Sequence, residues 1–529
     1  MDQDERDWWR RGIFYQVYPR SFQDSNGDGV GDLRGIIARL PHLTRLGVDA
    51  VWLSPIFTSP MADFGYDISD YTGIDPLFGS MEDFEVLIER AHELGLKVII
   101  DLVMSHTSDQ HAWFKESRAS RDNAKSDWYV WADPRPDGSA PNNWLSMFGG
   151  SAWQWDARRQ QYFLHNFLAA QPDLNFHNRE VRDAMLDVAR FWLEKGVDGF
   201  RLDVVNYYFH DVQLRDNPPL APELRKSDTA PAVNPYNYQS HRYDKSQPEN
   251  IAFLEEFATL LRGYGAAVIG EIGDSERALE LLEEYTGVPG RAQMSYVFDF
   301  LSGDDLAASR VVEVLQALQA VAPNAWPCWA MSNHDVVRHI SRWNLSDEAA
   351  KAYATLLLCM SGSVCLYQGE ELGLSEAEIA FEDLQDPYGK EFWPEFKGRD
   401  GSRTPMVWDL GVNGGFSTGK PWLPVPHSHL QRTVAAQEAD AQSMLHHYRW
   451  AIALRREHSA LRGGEMSGIR ADGPVLSFTR SDSEQSLQIR ANLSENEAGG
   501  LRPWEVRIIE SRVERPLPSR APEPAREPA

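Results

Sequence analysis

From residue 13 to residue 368, short apolar runs alternate with longer stretches whose apolar residues recur every three to four positions. The runs Ile13–Val17, Val48–Leu53, Lys97–Val103, Gly199–Val204, Ala267–Ile272, Met294–Phe300, Trp326–Met331 and Ser363–Gln368 have the length and composition of buried strands. Between them, Met81–Leu94 sets Phe84, Leu87, Ile88, Ala91 and Leu94 on one helical face. Ser80 precedes it as N-cap, with Asp83 three residues on, and Gly95 ends it. Val181–Lys195 repeats the design, with Val181, Met185, Val188 and Trp192 in line and Gly196 beyond. Strands separated by helical patterns in this way predict an α/β protein, a (β/α)₈ barrel. A doubly wound open sheet has the same periods and stays open on pattern alone.

Two stretches interrupt the alternation. Residues 104–176 are rich in Ser, Asp, Asn, Trp and Gly and lack long periodic runs, which predicts a small domain growing from the third strand–helix loop. A Pro-, Gly- and Trp-rich stretch over 375–429 follows strand eight. Beyond Leu461 the period changes to two. Leu487, Ile489, Ala491 and Leu493 share one side of a strand, and Val475–Thr479 is a second, so 461–512 reads as an all-β domain. The barrel is expected over 1–103 and 177–460. Residues 513–529, with five prolines from Pro516 onward and no hydrophobic period, are expected to be a disordered tail.

Composition narrows the function classes. Hydrophobic residues at 42% and charged residues at 25% suit a core-forming globular chain. A net charge of −26, spread along the sequence, argues against nucleic acid or anionic membrane as partner. Cys328, Cys359 and Cys365 form no metal knuckle or redox pair and read as buried thiols. The start, Met1-Asp-Gln-Asp-Glu-Arg-Asp7, is unlike a signal peptide, and no run of about 18 apolar residues occurs. The expectation is a cytoplasmic protein without a membrane span, monomer or homodimer.

Barrel enzymes gather their chemistry at the C-terminal ends of the strands. There the sequence places Asp101, Asp203, Glu271 and, after strand seven, Asp335. A single carboxylate at such a point serves equally well as a helix cap or an ion-pair partner. Several on one rim raise each other's pKa and cost stability, which a fold tolerates mainly where chemistry requires it.

The local sequences around these residues resemble glycoside hydrolase family 13, the α-amylase family, and within it the α-glucosidase and oligo-1,6-glucosidase branch. The matching segments are Gln16-Val-Tyr-Pro-Arg-Ser-Phe22, Asp63-Phe-Gly-Tyr-Asp67, Asp101-Leu-Val-Met-Ser-His106, Gln171-Pro-Asp-Leu-Asn175, Gly199-Phe-Arg-Leu-Asp203, Gly270-Glu271 and Ser332-Asn-His-Asp335. The resemblance covers about residues 8 to 460. It implies a retaining enzyme with Asp203 as nucleophile, Glu271 as general acid/base and Asp335 as transition-state stabiliser, with Arg201 keeping the nucleophile ionised and oriented. It further implies that His106 and His334 bind hydroxyls of the glucose at the cleavage site, above Tyr66 as aromatic platform. Asp63 and Arg399 would close the pocket behind that glucose, making the enzyme exo-acting. Phe148, Phe167 and Glu376 would shape its mouth, with plain packing as the alternative reading. Ser105 departs from the family's pattern, which has Asn there, and this puts in doubt the calcium site found near that Asn in amylases.

A second candidate metal site lies in Asp24-Ser-Asn26-Gly-Asp28-Gly29-Val30-Gly-Asp32, with oxygen ligands at alternate positions and Gly at the sixth, like the start of an EF-hand loop. Gly35 at the twelfth position and a preceding strand argue against a full EF-hand. The resemblance implies a structural Ca²⁺ or Mg²⁺ held by Asp24, Asn26, Asp28, the Val30 carbonyl and Asp32, against a metal-free Asx-turn. No organic cofactor is implied. Linkage preference divides. Val204 resembles α-1,6-preferring members, whereas Phe209 to Pro219 and Gly398 to Pro405 resemble bacterial α-glucosidases that act on maltose-like sugars and sucrose and transfer glucose to alcohols. Sucrose isomerases, trehalose-forming mutases and, remotely, non-catalytic transporter heavy chains share the scaffold.

Overall fold

The computed structural model describes residues 7–225, 230–296 and 298–512, so the Pro-rich tail lies outside the described residues. Eight strands form one parallel sheet: β1 (Ile13–Val17), β2 (Ala50–Leu53), β3 (Lys97–Leu102), β4 (Gly199–Leu202), β5 (Ala267–Glu271), β6 (Met294–Tyr296), β7 (Cys328–Trp329) and β8 (Ser363–Tyr367). β8 pairs with β1, and a parallel bridge between Ser295 and Pro327 joins β6 to β7, closing a barrel and excluding the open sheet. Helices follow the strands: α1 (Leu33–Leu46), α2 (Met81–Glu93), α3 (Arg179–Glu194), α4 (Asn250–Arg262), α5 (Ala278–Thr286), α6 (Ala308–Val321), α7 (Asp347–Cys359) and α8 (Met444–Glu457).

Alternation along each strand sorts side chains into two layers. Phe14, Ala50, Trp52, Ile99, Ala267, Ile269, Met294, Cys328 and Cys365 fill the barrel interior, while Ile13, Tyr15, Val17, Val51, Val98 and Ile100 pack outward against the helices. Gly199 is required by close approach: a Cβ there would stand 2.3 Å from the Ala267 carbonyl oxygen. α2 carries the capping box read from Ser80 and Asp83, and Gly95 beyond it has φ +75°. α3 starts two residues before Val181, behind Asn178 as N-cap. Its first turn is the polar pair Arg179 and Glu180, which an apolar period cannot register.

The later strands are shorter than their apolar runs. After β6 the chain turns into a short helix, Asp299–Ser302, so Phe300 and Leu301 belong to the rim and not to the strand. β7 comprises Cys328 and Trp329 alone. The segment between β3 and α3 carries its own antiparallel sheet of Trp131–Ala132, Gln161–Leu164 and Trp153–Asp156. At the C-terminus, β9 (Glu465–Asp472), β10 (Val475–Ser481), β11 (Gln485–Asn492) and β12 (Val506–Arg512) form an antiparallel sheet with Leu487, Ile489 and Ala491 fully buried. Among the described residues no helix is long and apolar enough to cross a membrane.

Candidate active site

The inward-facing parity of the strands continues into the polar rim. Asp101, Arg201, Glu271 and Tyr296 follow Ile99, Gly199, Ile269 and Met294 by two residues, so all four point toward the barrel axis. Asp101 and Arg201 are register partners across β3 and β4, as are Glu271 and Tyr296 across β5 and β6. Arg201 is fully buried and holds the group together. Its Nη1 donates to Asp101 at 2.8 Å and to Asp203 at 2.6 Å; its Nη2 donates to Glu271 and, at 2.8 Å, to the Tyr296 hydroxyl. The Val204 amide donates to the Glu271 carboxyl at 3.1 Å, from a backbone with φ +36° that a β-branched residue rarely adopts.

Burial pushes both Asp203 and Glu271 up to about 7, with Arg201 opposing the rise in each. Two carboxyls on one guanidinium are thus both raised by burial toward neutral pH. Asp335 goes the other way. Burial works to raise it, but its surroundings hold its carboxyl well below the usual range. His334, itself pushed down to about 3 by burial and hence neutral near pH 7, meets Asp335 at 3.1 Å as a hydrogen-bond partner. The charge that overcomes burial comes from Arg399 at 3.1 Å and Arg403 at 2.9 Å.

Beside these groups Tyr66 stacks on His334, with ring centroids 5.4 Å apart and an interplanar angle of 5°, and its hydroxyl donates to Asp101 at 3.0 Å. His106 is buried, lowered to about 4 by desolvation, and tied to Ser105 Oγ at 2.9 Å through Nδ1. Ser105 thus reaches the histidine despite being shorter than Asn. Asp63 takes Arg399 Nη2 at 2.9 Å and Gln171 Nε2 at 3.1 Å. On its other side Arg399 is gripped by fully buried Asp386, through Nε at 3.1 Å and Nη2 at 2.8 Å. Phe148 lies under the Arg399 guanidinium, 5.1 Å from ring centroid to Cζ, and stacks on Tyr388.

A cavity of about 500 Å³ opens onto this constellation. Asp203, Glu271, Asp335, Asp63, Tyr66, His106, Phe148, Phe167 and Arg399 all line it. Arg201 and His334 stand just behind the wall, fully buried. Glu376 is not on the wall: its carboxylate accepts the Arg338 amide at 2.8 Å, which fastens the loop that carries Val336 and Val337 into the lining.

With this geometry in view, the sequence matches the family model of the alpha-amylase catalytic domain over residues 16–464. The chain belongs to the alpha-amylase family of glycoside hydrolases. It is similar to a probable alpha-glucosidase of Rhizobium meliloti (strain 1021), 59% identical over 499 residues covering 93% of this chain and 91% of that one. Among solved structures it is similar to the alpha-glucosyl transfer enzyme XgtA, at 56% identity and TM-score 0.90, covering 92% of this chain and 91% of that chain. The trehalulose synthase MutB of Pseudomonas mesoacidophila MX-45 superposes with TM-score 0.84 at 34% identity, over 92% of this chain and 91% of that chain.

Within this alpha-amylase family member, several site residues carried no sequence signal of their role, among them Tyr296, Tyr207, Asp386, Tyr388 and Arg403. Asp386 and Tyr388 sit in the loop after β8, where the only local signal is the turn-forming Asp386-Pro387 pair. Arg403, which donates to both Asp335 and the His334 carbonyl, lay inside the Gly398-to-Pro405 phrase without a role.

The loop at residues 24–32 folds on its own donors. Asp24 accepts the Asn26, Gly27 and Gly29 amides and the Ser417 hydroxyl, and Asp32 accepts the Ser25 and Gly35 amides. Among the described residues no three His, Cys, Asp or Glu side chains stand close enough together to hold a metal ion. The chemistry of the donors nevertheless fits a hard cation. Asp24 and Asp32 are 6% and 5% exposed, and neither has a basic partner within ion-pair distance among the described residues.

Proposed function

We propose that the enzyme is an exo-acting retaining α-glucosidase that cleaves terminal α-linked glucose from maltose-like sugars and sucrose and transfers part of it to hydroxyl acceptors. The reading rests on the Asp63–Arg399–Asp386 ion-paired cluster at the cavity that Asp203 lines, which supports a pocket closed behind a terminal glucose. One guanidinium holding both Asp203 and Glu271 supports the close carboxyl pair that retention needs, as opposed to the wider gap of an inverting pair.

In the first step the Asp203 carboxylate attacks the anomeric carbon while Glu271, protonated, gives its proton to the departing oxygen. A β-glucosyl ester forms and the glycosidic bond breaks. In the second step the Glu271 carboxylate takes a proton from water or from an acceptor hydroxyl, whose oxygen displaces Asp203 and restores the α configuration. Asp335, held ionised by Arg399 and Arg403, faces the charge that develops on the sugar ring. The loop at 24–32 is proposed to hold Ca²⁺ or Mg²⁺ through Asp24, Asn26, Asp28, the Val30 carbonyl and Asp32, remote from these steps and of use to stability alone.

A product time course on maltose, isomaltose, sucrose and trehalose, with glycerol as acceptor, tests the assignment. Free α-glucose from maltose or sucrose, together with glucosyl-glycerol, is the expected result, and Asp203→Asn abolishes both. Cleavage of isomaltose alone would instead make it an oligo-1,6-glucosidase. An isomerised disaccharide without free glucose would place it with enzymes like MutB, for which a complex with sucrose is known.

A further inference from the structure

We propose that the hydroxyl of Tyr207, fixed by the buried ammonium of Lys245, donates a hydrogen bond to the leaving or accepting group, so that this site favours hydroxyl-bearing partners over plain aryl ones. The proposal rests on the glucosidase reading above. Lys245 is 4% exposed and has no carboxylate within ion-pair distance among the described residues. Its three N–H groups go to the Gly273 carbonyl at 2.8 Å, the Tyr236 hydroxyl at 3.0 Å and the Tyr207 hydroxyl at 3.1 Å. An ammonium has no further hydrogen to give and accepts none. Burial works to strip its charge, but Tyr207, Asp274 and Asp244 hold its pKa above the ordinary lysine value. Burial also raises both phenols, so each keeps its proton.

The two phenol oxygens stand 3.0 Å apart, which uses one of their two hydrogens. The other finds no acceptor among the described residues. Tyr207 lines this cavity, whereas Tyr236 and Lys245 line a separate one. The hydrogen bond between the two phenols works to raise the Tyr236 pKa and to lower that of Tyr207, the pattern of Tyr236 donating to Tyr207, which leaves the spare hydrogen on Tyr207. Position along the chain sets which end of the cavity this is. Tyr207 follows Asp203 by four residues, and its ring lies against Gly273, two residues past Glu271. A Cβ on Gly273 would come within 3.3 Å of that ring and 3.7 Å of the hydroxyl, so the glycine leaves the phenol uncovered. Since Glu271 protonates the departing oxygen, its side of the cavity receives the leaving group. Val204, Ala230, Pro231, Phe298 and Leu301 make part of the lining apolar, with Ser302, Asp304 and Arg342 as further polar lining residues. An O–H held in place against such a wall rewards a partner that carries its own hydroxyls.

The test compares kcat/KM for maltose with that for p-nitrophenyl α-glucoside, whose aromatic ring bears no hydroxyl. In Tyr207→Phe the maltose-to-nitrophenyl ratio is expected to fall about tenfold, the scale of one lost hydrogen bond in a buried site. Lys245→Met is expected to lower the same ratio in the same direction, and glucosyl transfer to glycerol to fall relative to hydrolysis in both variants. Equal losses on both substrates, or a ratio unmoved in Tyr207→Phe, would overturn the proposal. Tyr207→Phe removes one oxygen and keeps the ring, so it remains decisive if Lys245→Met fails to fold. A wild-type enzyme inert toward both glucosides would strike the glucosidase reading itself.

Discussion

Two buried arginine settings lie at different places in this molecule. At the rim, Arg201 is surrounded by carboxylates, and Asp101 and Glu271 keep it charged against burial, well above the ordinary range. At the junction with the C-terminal sheet, Arg455 on α8 and Arg480 on β10 have only backbone carbonyls. Arg455 takes those of Leu358, Met360 and Gly362, and Arg480 takes Cys359 at 2.7 Å and Gly464 at 2.9 Å. Burial pushes Arg455 down to about 10 and Arg480 to about 9. The pair caps the C-terminal end of α7, where the last carbonyls lack helical partners and carry the negative end of the helix dipole. A buried cation set among dipoles holds two parts of a fold together. A buried cation set among carboxylates keeps titratable groups poised, and that is where the chemistry belongs.

The sharpest way to break this contrast is to remove each arginine in turn. Arg201→Met leaves Asp101, Asp203 and Glu271 without their cation. Turnover is expected to fall at least ~10³-fold, as when a group acting with the nucleophile is lost. Because Arg201 lowers the pKa of Asp203, the residual activity should have its acidic limb shifted to higher pH, which a pH–rate profile reads directly. Arg480→Met instead orphans two buried carbonyls and should cost about 1–3 kcal/mol, seen as a lower midpoint in urea, with kcat per folded molecule retained. Comparable loss of kcat in Arg480→Met would erase the distinction.

The contrast also shows what the sequence could convey. Strand alternation is what turns Asp101, Arg201 and Glu271 to the axis. Asp101 and Glu271 were legible because they stand near the ends of apolar runs that read as barrel strands, and Arg201 through the motif it shares with Asp203. Asp386 and Arg403 were not, because they sit in the long loop after β8, whose path is set by tertiary contacts and not by any period. Glu376, for which both a mouth-shaping and a packing role were open, turns its carboxylate to the Arg338 amide. The short helix at Asp299–Ser302 was hidden because a buried apolar run reads alike as strand or helix when it is brief. Arg480 was invisible as a cap since its partner on the helix, the Cys359 carbonyl, lies 121 residues away and is a backbone atom with no side-chain signature. Within the C-terminal sheet, β10 and β11 announced themselves by alternation. β9, mostly exposed, did not.

A smaller effect separates the poised carboxyls from ordinary ones. Glu271 has a folded pKa raised from 4.5 to about 7, so the folded state binds its proton more tightly than the unfolded chain does. The stability this contributes is fully present below about pH 4.5 and is lost as pH rises through 7. Glu271→Gln carries no such titration and still offers an oxygen to Arg201 and the Val204 amide. The variant is therefore expected to gain on the wild type, on the order of 1–2 kcal/mol at pH 8, with the gap closing toward pH 5. Thermal unfolding across that range checks it, and a gap that widens at low pH would contradict the raised pKa.

The smallest expected effect concerns the loop at 24–32, which sits between the two settings in character. Asp24 and Asp32 are buried like the carboxylates at the rim but have no basic partner within ion-pair distance among the described residues. Burial works to raise Asp24, and the Ser417 hydroxyl and three amides more than offset it, so Asp24 stays ionised. Negative charge held by dipoles alone is the mirror image of Arg480 held by carbonyls, and such a loop stands without metal. A divalent ion would add to that stability by mass action without being needed to form the fold. Removing divalent ions with EDTA should thus lower Tm by no more than a few degrees, restored by Ca²⁺ or Mg²⁺, with kcat unchanged once the protein is folded. Asp28→Asn should blunt the response, since Asp28 is exposed and the amides of the buried turn stay with Asp24. Loss of activity in proportion to chelation would mean that the loop couples to the rim. The route would run through Ser417 and the long loop after β8 that also carries Arg399 and Arg403.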